Sequence, residues 1–100
     1  MWTGMRNPCV YIMASRRNGT LYVGVTSDVA RRAYEHRNGL IDGFTLRHGC
    51  KALVWYEPYE RMDEAIAREK QLKRGSRAKK LLLIEAMNPQ WQDLYQTLAQ

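Results

Sequence analysis

Two short runs rich in β-branched and aromatic residues, Asn7-Pro-Cys-Val-Tyr-Ile-Met-Ala14 and Asn18-Gly-Thr-Leu-Tyr-Val-Gly-Val25, stand only a few residues apart. The second begins with Asn18-Gly19, and Asn-Gly between such runs is the strongest short-range signal for a β-hairpin, because both residues tolerate the positive φ of a two-residue turn. A turn on Asn18-Gly19 pairs Arg17 with Thr20, so odd residues of the first strand share a face with even residues of the second. Tyr11, Tyr22 and Gly24 then lie on one face. Two phenols beside a residue with no side chain leave room for something to approach the sheet. From the hairpin alone the plainer reading, two packing aromatics of an ordinary hairpin, has the better claim.

One hundred residues with 45% hydrophobic content fit one domain, 1–100, with one core and no space for a second. Cys9 and Cys50 differ in context and lack metal-ligand spacing, which argues for a reduced, cytoplasmic protein rather than a disulfide scaffold. The first residues lack an apolar signal core, and no apolar run approaches the ~20 residues that span a bilayer. Sixteen Lys and Arg against ten Asp and Glu leave a net charge of +6, which favours a polyanionic partner. Nucleic acid ranks ahead of an anionic membrane surface.

After the hairpin, Thr26-Ser27-Asp28 reads as an N-cap cluster opening a helix from Val29 to Asn38, with Gly39 as its stop. At about 100° per residue, His36 and Arg32 fall on or beside the stripe defined by Val29 and Ala33. An arginine and a histidine there need partners, since burying an unpaired charge is costly. The alternative is that Arg32 snorkels from the edge of the stripe and His36 bonds to backbone. Residues 40–51 read as a loop with one helical turn, anchored to the core by Phe44. Ala52-Leu-Val-Trp-Tyr-Glu57 is a strand stopped by Pro58, and its lack of strict alternation suggests a central place in the sheet.

The next helix, Met62 to Arg74, has an apolar stripe of Met62, Ala65, Ile66 and Leu72, with Glu69 near its middle. Glu69 is the only acid between Ala65 and Ile84, among Arg68, Lys70, Lys73, Arg74, Arg77, Lys79 and Lys80. Pairing with Lys73 at i+4 would explain it as a surface residue. Its wheel position instead aims a carboxylate inward, and one carboxylate beside basic groups suits a hard divalent cation completed by water and phosphate oxygens. Ser76 caps a last apolar helix ending at Met87, and Trp91 and Tyr95 in the tail are expected to close the core together.

Tyr11, then Tyr22-Val23-Gly24, then Arg32, His36 and the inward Glu69, in this order and spacing, resemble the GIY-YIG nuclease superfamily. Gly43-Phe44-Thr45, Ala67-Arg-Glu-Lys-Gln-Leu-Lys73 and the tail Asn88-Pro-Gln-Trp-Gln-Asp-Leu94 resemble its small stand-alone bacterial members. The motif core covers about residues 9–87, with a C-terminal tail 88–100. The resemblance implies an α+β fold, a small three-stranded, mainly antiparallel sheet with flanking helices. It implies an endonuclease cutting DNA, ahead of RNA, with Mg²⁺ or Mn²⁺, directed by substrate structure or by a protein partner, in repair or recombination. Tyr11, Tyr22, Arg32, His36 and Glu69 take the catalytic positions, with Glu69 as the metal ligand. Two departures stand out: Cys9 replaces the first motif glycine, and the motif asparagine has no clean counterpart, Asn88 preceding a proline.

On this reading Tyr11, its pKa lowered by nearby cations, prepares the attacking water, Arg32 clamps the phosphate, Tyr22 orients it, and His36 handles the proton or holds Tyr22. Arg31, Lys70, Lys73, Arg74, Arg77, Lys79 and Lys80 track the nucleic-acid backbone, and Gly24 keeps the sheet surface open. Two competing classes remain. One is a non-catalytic nucleic-acid-binding module that keeps the fold, and the other is an adaptor with an exposed patch of Trp2, Trp91 and Tyr95.

Overall fold

A computed structural model of the chain describes residues 7–98, so Trp2 of the adaptor reading lies outside the described residues. In chain order the elements are β1 (Cys9–Ala14), β2 (Leu21–Thr26), α1 (Val29–Arg37), α2 (Phe44–His48), β3 (Ala52–Pro58), α3 (Met62–Arg74), α4 (Arg77–Met87) and α5 (Tyr95–Leu98). The three strands form one antiparallel sheet in the order β2-β1-β3, flanked by helices, which is the expected α+β architecture.

All six residues of the central strand β1 are buried. Successive strand side chains point to opposite faces, so this strand feeds two cores rather than the single one expected from the chain's length. Val10, Ile12 and Ala14 pack with Val23, Trp55, Ala65 and Leu72 of α3, and Ile84 of α4. Cys9, Tyr11 and Met13 pack with Val29 and Ala33 of α1, Leu53, and Leu98 of α5. Each fully buried aliphatic side chain among them contributes roughly 1.5–3 kcal/mol relative to exposure.

The hairpin closes differently from the expected two-residue turn. Ser15 N–H donates to Thr20 O at 3.0 Å and Gly19 N–H to Arg16 O at 2.9 Å, so residues 16–19 form the loop. Only Asn18 (φ 58°) is left-handed in it. A type I′ turn on Asn18-Gly19 would need positive φ at both residues. The pairing shifts by two residues relative to expectation, to Tyr11 opposite Gly24 and Met13 opposite Tyr22. A shift of two preserves which face each side chain occupies, so Tyr11, Tyr22 and Gly24 still share one.

β3 lies at the edge of the sheet, not at its centre. Its continuous apolar run has another cause. Ile12 pairs with Trp55 and Met13 with Leu53, leaving Val54 as the extra residue of a bulge, and all three consecutive residues are buried. The tail covers the edge: Leu53 N–H donates to an Asp93 carboxylate oxygen at 3.1 Å, Leu94 N–H to Leu53 O at 2.8 Å, and the Asn88 amide to Val54 O at 3.2 Å. These bonds satisfy the strand's outward polar groups.

Trp91 belongs to the core under α3 and α4, whereas Tyr95 packs on the core under α1 and α5. They close opposite faces, and Trp91, 7% exposed, cannot form part of an exposed patch. Among the described residues no helix is long and apolar enough to cross a membrane.

Candidate active site

The site gathers at the open β2 edge of the sheet. Tyr11 projects from mid-β1 over its cross-strand partner Gly24. A Cβ on residue 24 would lie 2.5 Å from both Cζ and Oη of Tyr11. The glycine makes room for this ring, so the space expected for an approaching ligand is already filled by protein. The Tyr22 ring stands beside it, with centroids 6.4 Å apart.

α1 begins at the N-cap Asp28, whose side chain accepts from Arg31 N–H at 3.1 Å. Two turns later it delivers His36, buried at 3% exposure, between the tyrosines, 5.6 Å from each ring centroid. His36 Nε2 lies 3.0 Å from the Tyr11 hydroxyl and Nδ1 lies 3.2 Å from the Thr45 hydroxyl. His36 therefore holds Tyr11 rather than Tyr22, and its partners are side chains rather than backbone. Both hydroxyls can donate or accept, so either imidazole tautomer satisfies the chain Tyr11–His36–Thr45.

Burial pushes the His36 pKa down to about 4; Arg32 adds to this and Glu35 opposes it. Burial likewise pushes the Tyr11 phenol well above its ordinary value, reinforced by Tyr22, Glu35 and Glu69 and opposed by Arg32. The expected lowering of Tyr11 by nearby cations is thus reversed, because one arginine does not offset the desolvation of a phenolate. At neutral pH the pair rests as a neutral phenol on a neutral imidazole.

Arg32 is partly exposed, its Nε 3.5 Å from Glu35 Oε1, while Arg31 Nε reaches Glu35 Oε2 at 3.3 Å. One carboxylate steadies both guanidinium groups, beside a polar cleft of about 230 Å³ that also involves Thr26 and Asp28.

Glu69 enters from α3, on the opposite face of the sheet, and is largely buried, with 15% of its side chain exposed. Both sequence-level readings of it hold together: it points inward, and it pairs with Lys73 Nζ at 3.0 Å. The buried stripe of α3 is narrower than expected. Ala65 and Leu72 form it, while Met62 and Ile66 stand 36% and 37% exposed along the turns before Glu69. Lys73 Nζ also lies 6.0 Å from the Tyr22 ring centroid, which brings α3 and the tyrosines to one place.

Among the described residues there is no group of three or more His, Cys, Asp or Glu able to hold a metal. A structural metal needs such a cage. One carboxylate fits a hydrated hard dication that takes its other ligands from water and phosphate.

The basic residues separate by what already occupies them. Arg68 Nε donates to Glu57 at 2.9 Å and its Nη1 to Gln71 at 2.7 Å. Arg77 Nη2 donates to the Asn18 and Gly19 carbonyls at 2.9 and 2.7 Å, clamping the hairpin loop. Lys80 Nζ donates to Gly75 O at 2.9 Å. Lys70, Arg74 and Lys79 are exposed, and Lys73 is half exposed. Asn88 is fully engaged in structure: besides Val54 O, its side chain donates to Gln92 O and accepts from Gln92 N–H.

Sequence reasoning assigned no role to Thr45 or Glu35, and gave Phe44 a different one, as the anchor of its loop in the core. Phe44 does not anchor the loop in the core: it is 40% exposed and stacks on Tyr22 with centroids 6.2 Å apart, and buried Thr45 does the anchoring. Spacing signalled none of these roles, because each depends on how α2 docks.

Comparison with known proteins places these features in a lineage. The chain is 36% identical over 75 residues to a UPF0213 protein of Staphylococcus saprophyticus, covering 75% of this chain and 90% of that one. It is 38% identical over 76 residues to a UPF0213 protein of Staphylococcus aureus, covering 76% and 92%. The solution NMR structure of the UPF0213 protein BH0048 from Bacillus halodurans superposes with a TM-score of 0.54 at 31% identity, covering 87% of this chain and 92% of that chain. The model of the GIY-YIG catalytic domain matches residues 7–81, a span that holds Tyr11, Tyr22, Arg32, His36 and Glu69. With that span covering both strands of the hairpin, the helix that carries His36 and the helix that carries Glu69, the chain belongs to the GIY-YIG family.

Proposed function

We propose that this protein is a divalent-metal-dependent endonuclease that hydrolyses phosphodiester bonds of DNA, selected by substrate structure, in cytoplasmic repair or recombination. The observation that carries this reading is the 3.0 Å contact between the Tyr11 hydroxyl and His36 Nε2, with Arg32 and Glu69 close enough to act on the phenol's charge.

The reaction needs a proton acceptor for the attacking water and positive charge around the phosphate. Tyr11 is too well desolvated to rest as a phenolate, so it works as a relay: it takes a proton from the water while passing its own to His36 Nε2. Thr45 holds His36 in line throughout. Arg32, released from Glu35 by a phosphate, clamps two of its oxygens with its planar fork. The Tyr22 hydroxyl orients the phosphate, and Lys73 beside that ring adds a second positive charge. As the water oxygen bonds to phosphorus, the bond to the leaving sugar oxygen breaks and that oxygen takes a proton from solvent. Glu69 would hold Mg²⁺ or Mn²⁺ through its carboxylate, in exchange for its contact with Lys73. A dication bound there supplies positive charge to the leaving oxygen.

The test is cleavage of single-stranded, duplex, nicked, flapped and branched DNA and RNA by wild type and Glu69→Gln, with Mg²⁺, Mn²⁺ or chelator. Metal-dependent products from wild type alone, with Glu69→Gln still binding, are expected. Equal loss of binding and cleavage would overturn the role of Glu69. Binding without cleavage in every lane would favour the non-catalytic module.

A further inference from the structure

Beyond the five motif positions, an aromatic column leads outward from the site. Tyr22 stacks on Phe44 with an interplanar angle of 28°, and Phe44 meets His48 one helical turn later at a centroid distance of 4.3 Å. Phe44 joins neither core cluster and keeps 40% of its surface exposed, and His48 is exposed as well. The column is nevertheless rigidly mounted. Thr45, the residue between them in the helix that is buried, bonds His36, and Cys50 N–H closes the end of the turn on Thr45 O at 2.9 Å. Single exposed hydrophobics are ordinary, and Leu40 and Leu82 are more exposed than Phe44; what sets Phe44 apart is its mount beside the tyrosines, where its ring offers an apolar surface to a ligand.

We propose that Phe44, backed by His48, is the stacking platform for one unpaired nucleobase of the nucleotide that flanks the cleaved phosphate. The inference deepens the nuclease reading and rests on it. Three observations set the occupant. Lys73 lies 6.0 Å from the Tyr22 ring on which Phe44 stacks at 6.2 Å, so a cation for a phosphate and a flat surface for a base share one tyrosine as neighbour. Base stacking is tolerant of sequence, which suits a platform whose own ring, Phe44, carries no hydrogen-bonding group. A base can reach the column only when it is out of a duplex stack, so the substrate class is a flap, gap or single strand rather than an intact duplex.

The experiment uses DNA strands carrying the fluorescent base 2-aminopurine beside the cleaved phosphate, and matched strands with an abasic sugar there. Binding is followed with Glu69→Gln protein, and cleavage is followed in parallel with wild type. Stacking predicts quenching of the 2-aminopurine, about tenfold weaker binding by Phe44→Ala and Phe44→Leu, and near-wild-type binding by Phe44→Trp. On the abasic strand Phe44→Ala should bind as wild type does. Equal weakening on abasic and intact strands, or Phe44→Leu binding as wild type, would overturn the platform and leave Phe44 as a spacer for Tyr22. Quenching without cleavage on any strand would retain the platform and remove the catalytic reading. Cleavage without quenching would do the reverse.

Discussion

The ring of Tyr11 occupies the space that a side chain on Gly24 would need. The two are direct cross-strand partners, and an added Cβ would come within 2.5 Å of the phenol carbon and oxygen. Gly24→Ala therefore either drives the Tyr11 ring aside or spreads the two strands. We expect a loss of about 1–3 kcal/mol in stability, by overpacking, together with loss of cleavage as the hydroxyl leaves His36. Urea denaturation and a cleavage assay on the same preparation check this. A stable, fully active Gly24→Ala protein would show that Tyr11 need not lie where it does.

His36 makes stability depend on pH. Its pKa lies near 4 in the folded protein, below an ordinary value of 6.5, so the unfolded chain binds more protons between these limits. The contribution is complete above pH 6.5 and is lost as pH falls toward 4. It amounts to about 3 kcal/mol over that window. Urea midpoints measured from pH 7.5 to 4 should fall more steeply in wild type than in His36→Gln, and parallel curves would contradict the burial argument.

Arg77 and Lys79 look alike in sequence and should behave differently. Arg77 holds the hairpin loop through the Asn18 and Gly19 carbonyls. Arg77→Ala should cost about 1 kcal/mol and lower the melting temperature by several degrees. Exposed Lys79 has no such task, and Lys79→Ala should leave melting unchanged while reducing the salt slope of DNA binding by about one. An unchanged slope would place the contact face elsewhere.

Asn88 should matter for folding and not for chemistry. Asn88→Ala strands Val54 O and the Gln92 backbone groups at the covered edge of β3, a loss of about 2–3 kcal/mol. Hydrogen exchange in β3 should accelerate. At a temperature where the variant is folded, its metal requirement should match wild type, and a changed requirement would link Asn88 to the site.

Much of the arrangement was legible from residue order. Hairpin parity put Tyr11, Tyr22 and Gly24 on one face, the α1 wheel put His36 and Arg32 on or beside the buried stripe, and Asp28 and Ser76 capped their helices. These features follow from periods of two and 3.6 and from backbone groups only a few residues away. The position of β3 was not legible, because a bulge at Val54 produces the same apolar run as two-sided burial in a central strand.

The sequence by itself determined the three strands and the principal helices, the faces of their side chains and the set of chemical groups available, since these depend on local spacing and on side-chain identity; the short helix α5 and the four-residue hairpin loop were not among them. The tertiary structure alone decided that Gly24 serves the Tyr11 ring, that Thr45 holds His36, that Phe44 stands outside the core, and which basic residues are already bound. It also decided protonation, raising Tyr11 and lowering His36. Desolvation and hydrogen-bond partnership arise where segments distant in the chain meet, and no local period records that meeting.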